Sequence, residues 1–403
     1  MHDEPLGLVG LGGYAGYVGR FLVERMALAG KPLRLAAVYD PTPDAFPELL
    51  GAMRAKGVRV CASYAELLDA VKAVWLPVPI DLHLPYTEQA LRAGKPVLCE
   101  KPAAGCIQDI DAMIRARDAA SLPVAVGFQD IYAESSQSLK EQTLSGAFGR
   151  ITGATLLALW PRDAQYYERP WAGKLSRNGV WILDSPANNA LAHFVHLVLY
   201  WLGPTARESA LPVAVEAELY RVNRIENYDT CCLRITLASG LKVLACLTHA
   251  CAEHQDPVIA VEGDDGSFIY DYGAKMATIR WSGVDLPMPL TPNTYEETLA
   301  GFEGMLLGKD VTVATLEMAR MHGLVISGAS QCAPVHDVDA AHHQETRTGE
   351  RTILRRIDGI EELFRTAIRQ KRRRHERRKG PWTRPAGRMD LRNYTRFEGP
   401  AVA

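Results

Sequence analysis

Gly10-Leu11-Gly12-Gly13-Tyr14-Ala15 stands between an apolar run, residues 6–10, and a helix-forming stretch, residues 15–29, that Gly30 stops. A Gly-x-Gly-x-x-Ala turn placed after a strand and before a helix has the context of a dinucleotide-binding loop. Gly10 makes the tight turn, Gly12 lets the backbone approach a pyrophosphate, and Ala15 lets the helix pack closely on the strand. The helix start, with Gly13 and Tyr14, offers free amides and a partial positive charge to phosphates.

Outward from the loop, short apolar runs alternate with helical patterns. Strands are expected at 6–10, 33–39, 58–61, 73–78, 96–99 and 124–128. Helices are expected at 15–29, 45–56, 64–70, 85–93 and 107–119. That alternation predicts a doubly wound parallel sheet, an α/β Rossmann-type fold, over residues 1–130. Asp40 closes the second strand. A carboxylate there accepts hydrogen bonds from ribose hydroxyls and repels the extra phosphate of NADP, so NAD is the expected cofactor and NADP is disfavoured. The competing reading of Asp40 is a turn former ahead of Pro41.

The pattern changes near residue 150. Strands are expected at 151–160, 213–222, 230–237, 241–248, 258–262, 267–270 and 277–281, joined by short turns. They predict a large, mainly antiparallel open sheet in an α/β domain over residues 131–335. Helices return at 295–307 and 316–331. The remainder, 336–403, carries the basic run Gln370-Lys371-Arg372-Arg373-Arg374-His375-Glu376-Arg377-Arg378-Lys379 and then a stretch rich in Pro, Gly and Arg. It reads as a helix end in solvent with an extended tail wrapping a neighbouring subunit; an anion- or RNA-binding arm is the sharper alternative.

Bulk properties exclude some classes. The 403 residues are 47% hydrophobic and 23% charged with a formal net charge of -2, an ordinary globular balance that disfavours a nucleic-acid partner. No apolar run reaches the roughly 18 residues needed to span a bilayer. Residues 1–5 lack the basic and apolar regions of a secretory signal. The eight cysteines form no C-x-x-C pair. Buried thiols in a cytoplasmic protein are therefore expected, and no metal site.

A second cluster is more specific: Gly94-Lys95-Pro96-Val97-Leu98-Cys99-Glu100-Lys101-Pro102. Lys101, at the carboxyl end of a parallel strand, belongs to the ligand crevice. Glu100 beside it can fix or discharge the ammonium. With the Gly10–Ala15 loop, Asp40, Pro79 with His83, and Val126-Gly127-Phe128-Gln129, this chain resembles the Gfo/Idh/MocA family of oxidoreductases to about residue 335. The resemblance implies a Rossmann domain followed by an α/β domain whose open sheet often packs against another subunit. A homo-oligomer, dimer or tetramer, is therefore expected. It implies oxidation of a secondary alcohol on a sugar or cyclitol, or the reverse reduction. It gives Lys101 contact with the substrate hydroxyl and the nicotinamide region, and places Pro79, His83 and Glu100 along the cofactor.

The family pairs an Asp with a His four residues later. Here the segment is Leu183-Asp184-Ser185-Pro186-Ala187-Asn188-Asn189-Ala190-Leu191-Ala192-His193, so Asn188 holds the spacing while His193 keeps the distance to Gly203. Ser185-Pro186 reads as a helix start and Gly203-Pro204 as its stop. At about 100° per residue, Asn189, His193, His196 and Tyr200 fall on one face of an otherwise apolar helix. A buried polar stripe needs partners, and a substrate pocket or pairing inside the core supplies them. Lys101 and His193 are the expected acid–base pair, with His196 as the second choice. Asp184 orients the site or caps the helix. Gln129, Trp171, Asn188 and Asn189 are the expected substrate contacts. Trp171 lies in the aromatic and basic stretch Tyr166–Lys174, which suits a loop over a polyol or an interface loop. Two other functions stay open: non-redox glycoside cleavage or epimerisation through transient oxidation, and a non-catalytic NAD-binding regulatory role.

Overall fold

The computed structural model describes residues 4–28, 30–292, 294–347, 349, 352–373 and 381–402. Two compact units divide the chain. The first comprises Met1–Ala104, Asp109–Tyr132 and Pro292–Ala319; the second comprises Gly105–Gln108, Ala133–Thr291 and Arg320–Ala403.

The first unit contains a six-stranded sheet. Its strands are β1 (Glu4–Val9), β2 (Leu33–Tyr39), β3 (Arg59–Val60), β4 (Ala73–Leu76), β5 (Val97–Cys99) and β6 (Val124–Val126). They run in the order β3-β2-β1-β4-β5-β6, all parallel. Leu6, Leu8, Val38, Val74, Leu98 and Ala125 are buried, as expected of strands covered on both faces. The intervening helices are α1 (Tyr14–Arg25), α2 (Pro47–Ala55), α3 (Tyr64–Ala70), α4 (Ile80–Arg92) and α5 (Ile107–Ala120). Strand order reverses between β1 and β4, where open parallel sheets bind ligands at the carboxyl ends.

This unit is not the continuous stretch 1–130 that the alternation predicts. The helix Tyr295–Leu306 belongs to it, with Leu299 and Phe302 in the core that holds Leu8, Leu22 and Trp75. The polar reason is Arg25. Its guanidinium donates to Glu296 (Nε to Oε2, 2.8 Å), Glu303 (Nη2 to Oε1, 2.7 Å) and the Leu33 carbonyl (2.7 Å). The Arg25 and Glu303 side chains are 3% and 7% exposed, so either one alone would be a costly buried charge.

The second unit is built on a ten-stranded mixed sheet. Its path is Val284–Pro289, Met276–Trp281, Gly266–Asp271, Gln255–Gly263, Ile151–Leu159, Lys242–Thr248, Thr230–Leu237, Pro212–Arg221 and Val335–Asp337. Gly387–Asp390 also pairs with Pro212–Arg221. Pairing is antiparallel except where Lys242–Thr248 meets Ile151–Leu159 and where Val335–Asp337 meets Pro212–Arg221.

Four details depart from the sequence expectations. First, α4 begins at Ile80 with Pro79 at its cap, and Pro85 sits inside it instead of opening it; beyond the first turn, that proline removes one interior backbone donor from the helix. Second, the helix expected from Ser185 begins only at Ala192. Third, Val284–Pro289 is an edge strand that the sequence reading lacks. It carries Pro287 and Pro289, residues tolerated only where a strand has no partner on one side. Fourth, the tail expected on a neighbour lies on its own sheet: Gly387–Asp390 pairs there, and Trp382 meets the Tyr220 ring at 4.8 Å. The helix Ile360–Arg373 precedes it and places Ile360 and Phe364 against Leu157, Leu244 and Cys246. Most of the basic run 370–379 falls outside the described residues.

Candidate functional site

In the first unit the loop residues meet the conditions of a phosphate cradle. Gly10 adopts φ +98°, a region that favours glycine. A Cβ on Gly12 would lie 2.9 Å from the Phe46 ring. Gly13 caps α1 without a side-chain hydrogen bond, and the first turn holds no acidic residue. The Tyr14 and Ala15 amides at the start of α1 therefore have no acidic side chain competing for them, while the Gly16 amide bonds the Gly13 carbonyl at 3.1 Å. Ala15 is buried, while Tyr14 is 40% exposed with its ring edge-on to Tyr295 at 5.8 Å.

Asp40 has more tasks than the ribose contact read from its position. Its Oδ2 accepts the Leu11 amide at 2.8 Å, and its Oδ1 accepts the Thr42 amide at 2.8 Å and the Thr42 hydroxyl at 3.2 Å. The carboxylate thus fixes the loop as well as the charge beside it. Both lone-pair directions of Oδ1 are taken, and Oδ2 keeps one for a further donor.

Around the carboxyl ends of β4, β5 and β6 the Glu100-Lys101-Pro102 turn is held from several sides. Glu100 Oε1 accepts the Trp75 indole at 3.0 Å, and Oε2 accepts the Lys101 amide at 3.3 Å. A Cβ on Gly127 would stand 2.6 Å from Glu100 Oε2, so only glycine lets β6 pass the carboxyl. Burial pushes the Glu100 pKa up to about 7, against the lowering by Trp75 and Lys101. Lys101 is half-buried beside it, and the Lys101–Pro102 peptide is cis.

His83 is 1% exposed. Its Nδ1 lies 2.9 Å from the Pro102 carbonyl and its Nε2 lies 2.9 Å from the Val78 carbonyl. Burial lowers its pKa, so the neutral ring donates to one of those carbonyls. It ties the segment after β4 to the turn after β5. Pro79 is half-buried at the start of α4, and Gln129 is half-buried at the start of the 3-10 turn Gln129–Tyr132.

In the second unit the segment before the histidine helix is a set of turns. Asp184 accepts the Gly173 amide on Oδ2 (2.6 Å) and the Asn189 side-chain amide on Oδ1 (2.7 Å). Its carbonyl accepts Asn227 Nδ2 at 3.1 Å. Ser185 Oγ accepts the Asn188 amide at 3.2 Å, and Asn188 Nδ2 donates to the carbonyls of Ile182 (3.0 Å) and Leu183 (3.3 Å). These bonds spend the polar side chains on the turn, which delays the helix. Asp184 caps no helix, and Asn189 is not on the helical face of His193 and His196.

Asn188 is 1% exposed, and its Oδ1 has no partner among the described residues. His193 is half-buried; His196 is completely buried. Burial, then His322 and His193, drive the His196 pKa well below its ordinary value, which keeps that ring neutral. His322 Nε2 lies 2.9 Å from the Ala187 carbonyl. Sequence reading passed over His322, a single histidine in a helical pattern. It also passed over Trp75, whose link to Glu100 has no local signal. Trp171 is half-buried, with the Arg169 guanidinium 5.5 Å from its ring.

Lys101 stands in the first unit, and His193, Asp184, Asn188, Asn189 and Trp171 in the second. Among the described residues no group of three His, Cys, Asp or Glu is arranged to hold a metal ion, and no helix is long and apolar enough to cross a membrane.

The sheet order, the glycine loop and Asp40 together form a dinucleotide-binding Rossmann unit. Residues 6–128 match the GFO_IDH_MocA family, described as an oxidoreductase family with an NAD-binding Rossmann fold. The inositol 2-dehydrogenase of Streptomyces avermitilis is 34% identical over 155 residues, 37% of this chain and 43% of that protein. The dTDP-3,4-didehydro-2,6-dideoxy-alpha-D-glucose 3-reductase of Streptomyces violaceoruber is 28% identical over 143 residues, 32% of this chain and 42% of that protein. The chain thus spans less than half the length of these two curated relatives. Among solved structures, the WlbA dehydrogenase of Bordetella pertussis in complex with NADH and UDP-GlcNAcA superposes with a TM-score of 0.65 at 22% identity. That match covers 80% of this chain and 94% of that one, and it establishes likeness of fold.

Proposed function

We propose that this chain is an NAD-dependent oxidoreductase that moves a hydride between a secondary alcohol of a sugar, inositol or sugar-like substrate and the nicotinamide. The observation that carries the reading is the start of α1: a glycine cradle with no side-chain cap, no acidic residue in the first turn, and Asp40 fixed beside it. These residues fit NAD. The amides of the Gly10–Ala15 loop hold the phosphates, Asp40 takes the ribose hydroxyls, and Tyr14, Pro79, His83 and Glu100 shape the rest of the cleft. When bound, NAD supplies the hydride acceptor or donor.

Lys101 and His193 exchange the proton of the substrate hydroxyl, and Lys101 also steadies charge on that oxygen. His193 takes this role ahead of His196, whose ring has no exposed surface. Asp184 positions the turn that leads into His193. Gln129, Trp171 and Asn189 contact the substrate, with Asn188 holding the turn behind them. The names of the inositol and deoxysugar relatives support the substrate class.

Titration with NAD and NADP, followed by assay of NADH on a panel of polyols and sugars, tests the proposal. Failure to bind either dinucleotide sinks it. Product without net NADH moves it to the non-redox reading, which the asparagine at 188 favours. The same proposal sets the enzyme in the cytoplasm as a homo-oligomer. Eight free thiols support the compartment, and light scattering on the purified protein tests the oligomer.

A further inference from the structure

One recess in the second unit carries more cationic chemistry than a neutral polyol needs. It holds about 900 Å³ and is lined by Trp160, Arg162, Tyr166, Glu168, Arg169 and Ala190, among others. Two arginines and two aromatic rings, Trp160 and Tyr166, line its wall, and Trp171 follows in sequence. The Arg162 guanidinium lies 5.4 Å from the Trp160 ring and 5.2 Å from the Tyr166 ring. The Arg169 guanidinium lies 4.5 Å from the Tyr166 ring and 5.5 Å from the Trp171 ring.

Stacking on a ring uses the face of a guanidinium and leaves its N–H edge for a planar or tetrahedral oxyanion. Those edges are largely unspent. Arg162 donates to the Pro161 carbonyl at 3.2 Å and shares a side-chain hydrogen bond with Tyr166, while its buried Nε has no partner. Among the described residues neither arginine has a carboxylate within ion-pair distance. Of the nearby carboxylates, Asp184, which raises the Tyr166 pKa, takes the Gly173 amide and the Asn189 side-chain amide. Asp163 is committed to the Tyr166 amide at 3.1 Å, and Glu168 is exposed. The neighbouring imidazole adds no charge: His249 bonds the Trp160 carbonyl through Nδ1 at 2.8 Å, and burial, helped by Arg162, pushes its pKa down to about 3. Ala190, which also lines it, lies three residues before His193, so the recess adjoins the turn that feeds the proposed proton-transfer group.

We propose that this recess is an anion subsite, in which the edges of Arg162 and Arg169 grip a carboxylate or phosphate carried by the substrate. The inference rests on the oxidoreductase reading and narrows its substrate class to acidic sugars: sugar acids or phosphorylated sugars. Tyr166 holds the two cations apart at a fixed spacing and limits their freedom before binding.

The test is calorimetric titration of the NAD-loaded protein with D-glucuronate, D-glucose 6-phosphate and D-glucose. At least one acidic probe is expected to bind tenfold or more tightly than glucose. Which acid binds distinguishes carboxylate from phosphate. Arg169→Gln and Arg162→Met should each remove tenfold or more of that acid affinity while NAD affinity stays unchanged. Circular dichroism checks the fold of each variant. Arg169 is exposed, so its variant decides the matter if Arg162→Met does not fold. Equal affinity for acids and glucose, or acid affinity indifferent to Arg169→Gln, overturns the subsite. Loss of NAD binding in the unaltered protein would instead overturn the oxidoreductase reading.

Discussion

The Leu11 amide donates to Asp40 Oδ2 at 2.8 Å, so the acid at the end of β2 holds the glycine loop at the end of β1. Under the proposed function, one carboxylate therefore sets both loop shape and cofactor preference. Asp40→Ala should weaken NAD binding by tenfold or more, because it removes a charged acceptor worth roughly 1.5–3 kcal/mol. Asp40→Asn keeps the shape and removes the charge, so the ratio of NADP to NAD affinity should rise. Fluorescence titration of both cofactors reads these effects; an unchanged ratio in Asp40→Asn would falsify the charge argument.

Glu100 makes stability depend on pH in an unusual direction. Its folded pKa, about 7, lies above the ordinary carboxylate value. The neutral form is favoured by folding, so its contribution is complete below about pH 4.5 and is lost as pH rises through about 7. Glu100→Gln should abolish this slope while the rest of the pH profile stays. The full effect is about 3 kcal/mol. Urea midpoints between pH 4.5 and 8 measure it, and parallel curves for the two proteins would refute the assignment.

Lys101→Ala and His193→Ala should each lower turnover by a factor of roughly 10²–10⁴, the range for a positioned acid–base group, with NAD affinity retained. His196→Gln should lower the melting temperature instead, since that ring is wholly buried. Steady-state kinetics beside thermal melts separates the two outcomes. Normal turnover in His193→Ala would move proton transfer to Lys101 alone.

Lys140 secures the far end of the histidine helix. Its ammonium donates to the carbonyls of Tyr200 (2.5 Å), Gly203 (2.7 Å) and Glu208 (3.3 Å), and the side chain has no exposure. Lys140→Met fits the space and abandons these acceptors. At roughly 1–3 kcal/mol for an orphaned buried group, stability should fall by about 3 kcal/mol. A loss under about 0.5 kcal/mol in chemical denaturation, the scale of an ordinary surface substitution, would show that water takes over the carbonyls.

The first sheet was legible because each parallel strand is one apolar run between turn signals, and because the glycine loop depends on its own neighbours. The start of the histidine helix was not. Ser185-Pro186 has the chemistry of a helix start, yet Asp184 and Ser185 spend their oxygens on Gly173, Asn189 and Asn188. A competing bond from a residue eleven positions away leaves no mark in local pattern. The same holds for Trp75 with Glu100, for His322 with Ala187, and for Arg162 and Arg169 sharing one tyrosine. Val284–Pro289 was missed because its prolines argue against a strand, and only its edge position permits them.

The return of Pro292–Ala319 to the first unit has a consequence for how the protein is made. When a ribosome has released residues up to Tyr132, every strand of the dinucleotide sheet exists, but Arg25 still lacks Glu296 and Glu303. At roughly 5–20 residues per second, the missing helix follows on the order of ten seconds later. Through that interval the nascent sheet carries a cation with no counter-charge and an open apolar flank where Leu299 and Phe302 will pack. The first unit therefore closes only after Ala133–Thr291 of the second has been synthesised.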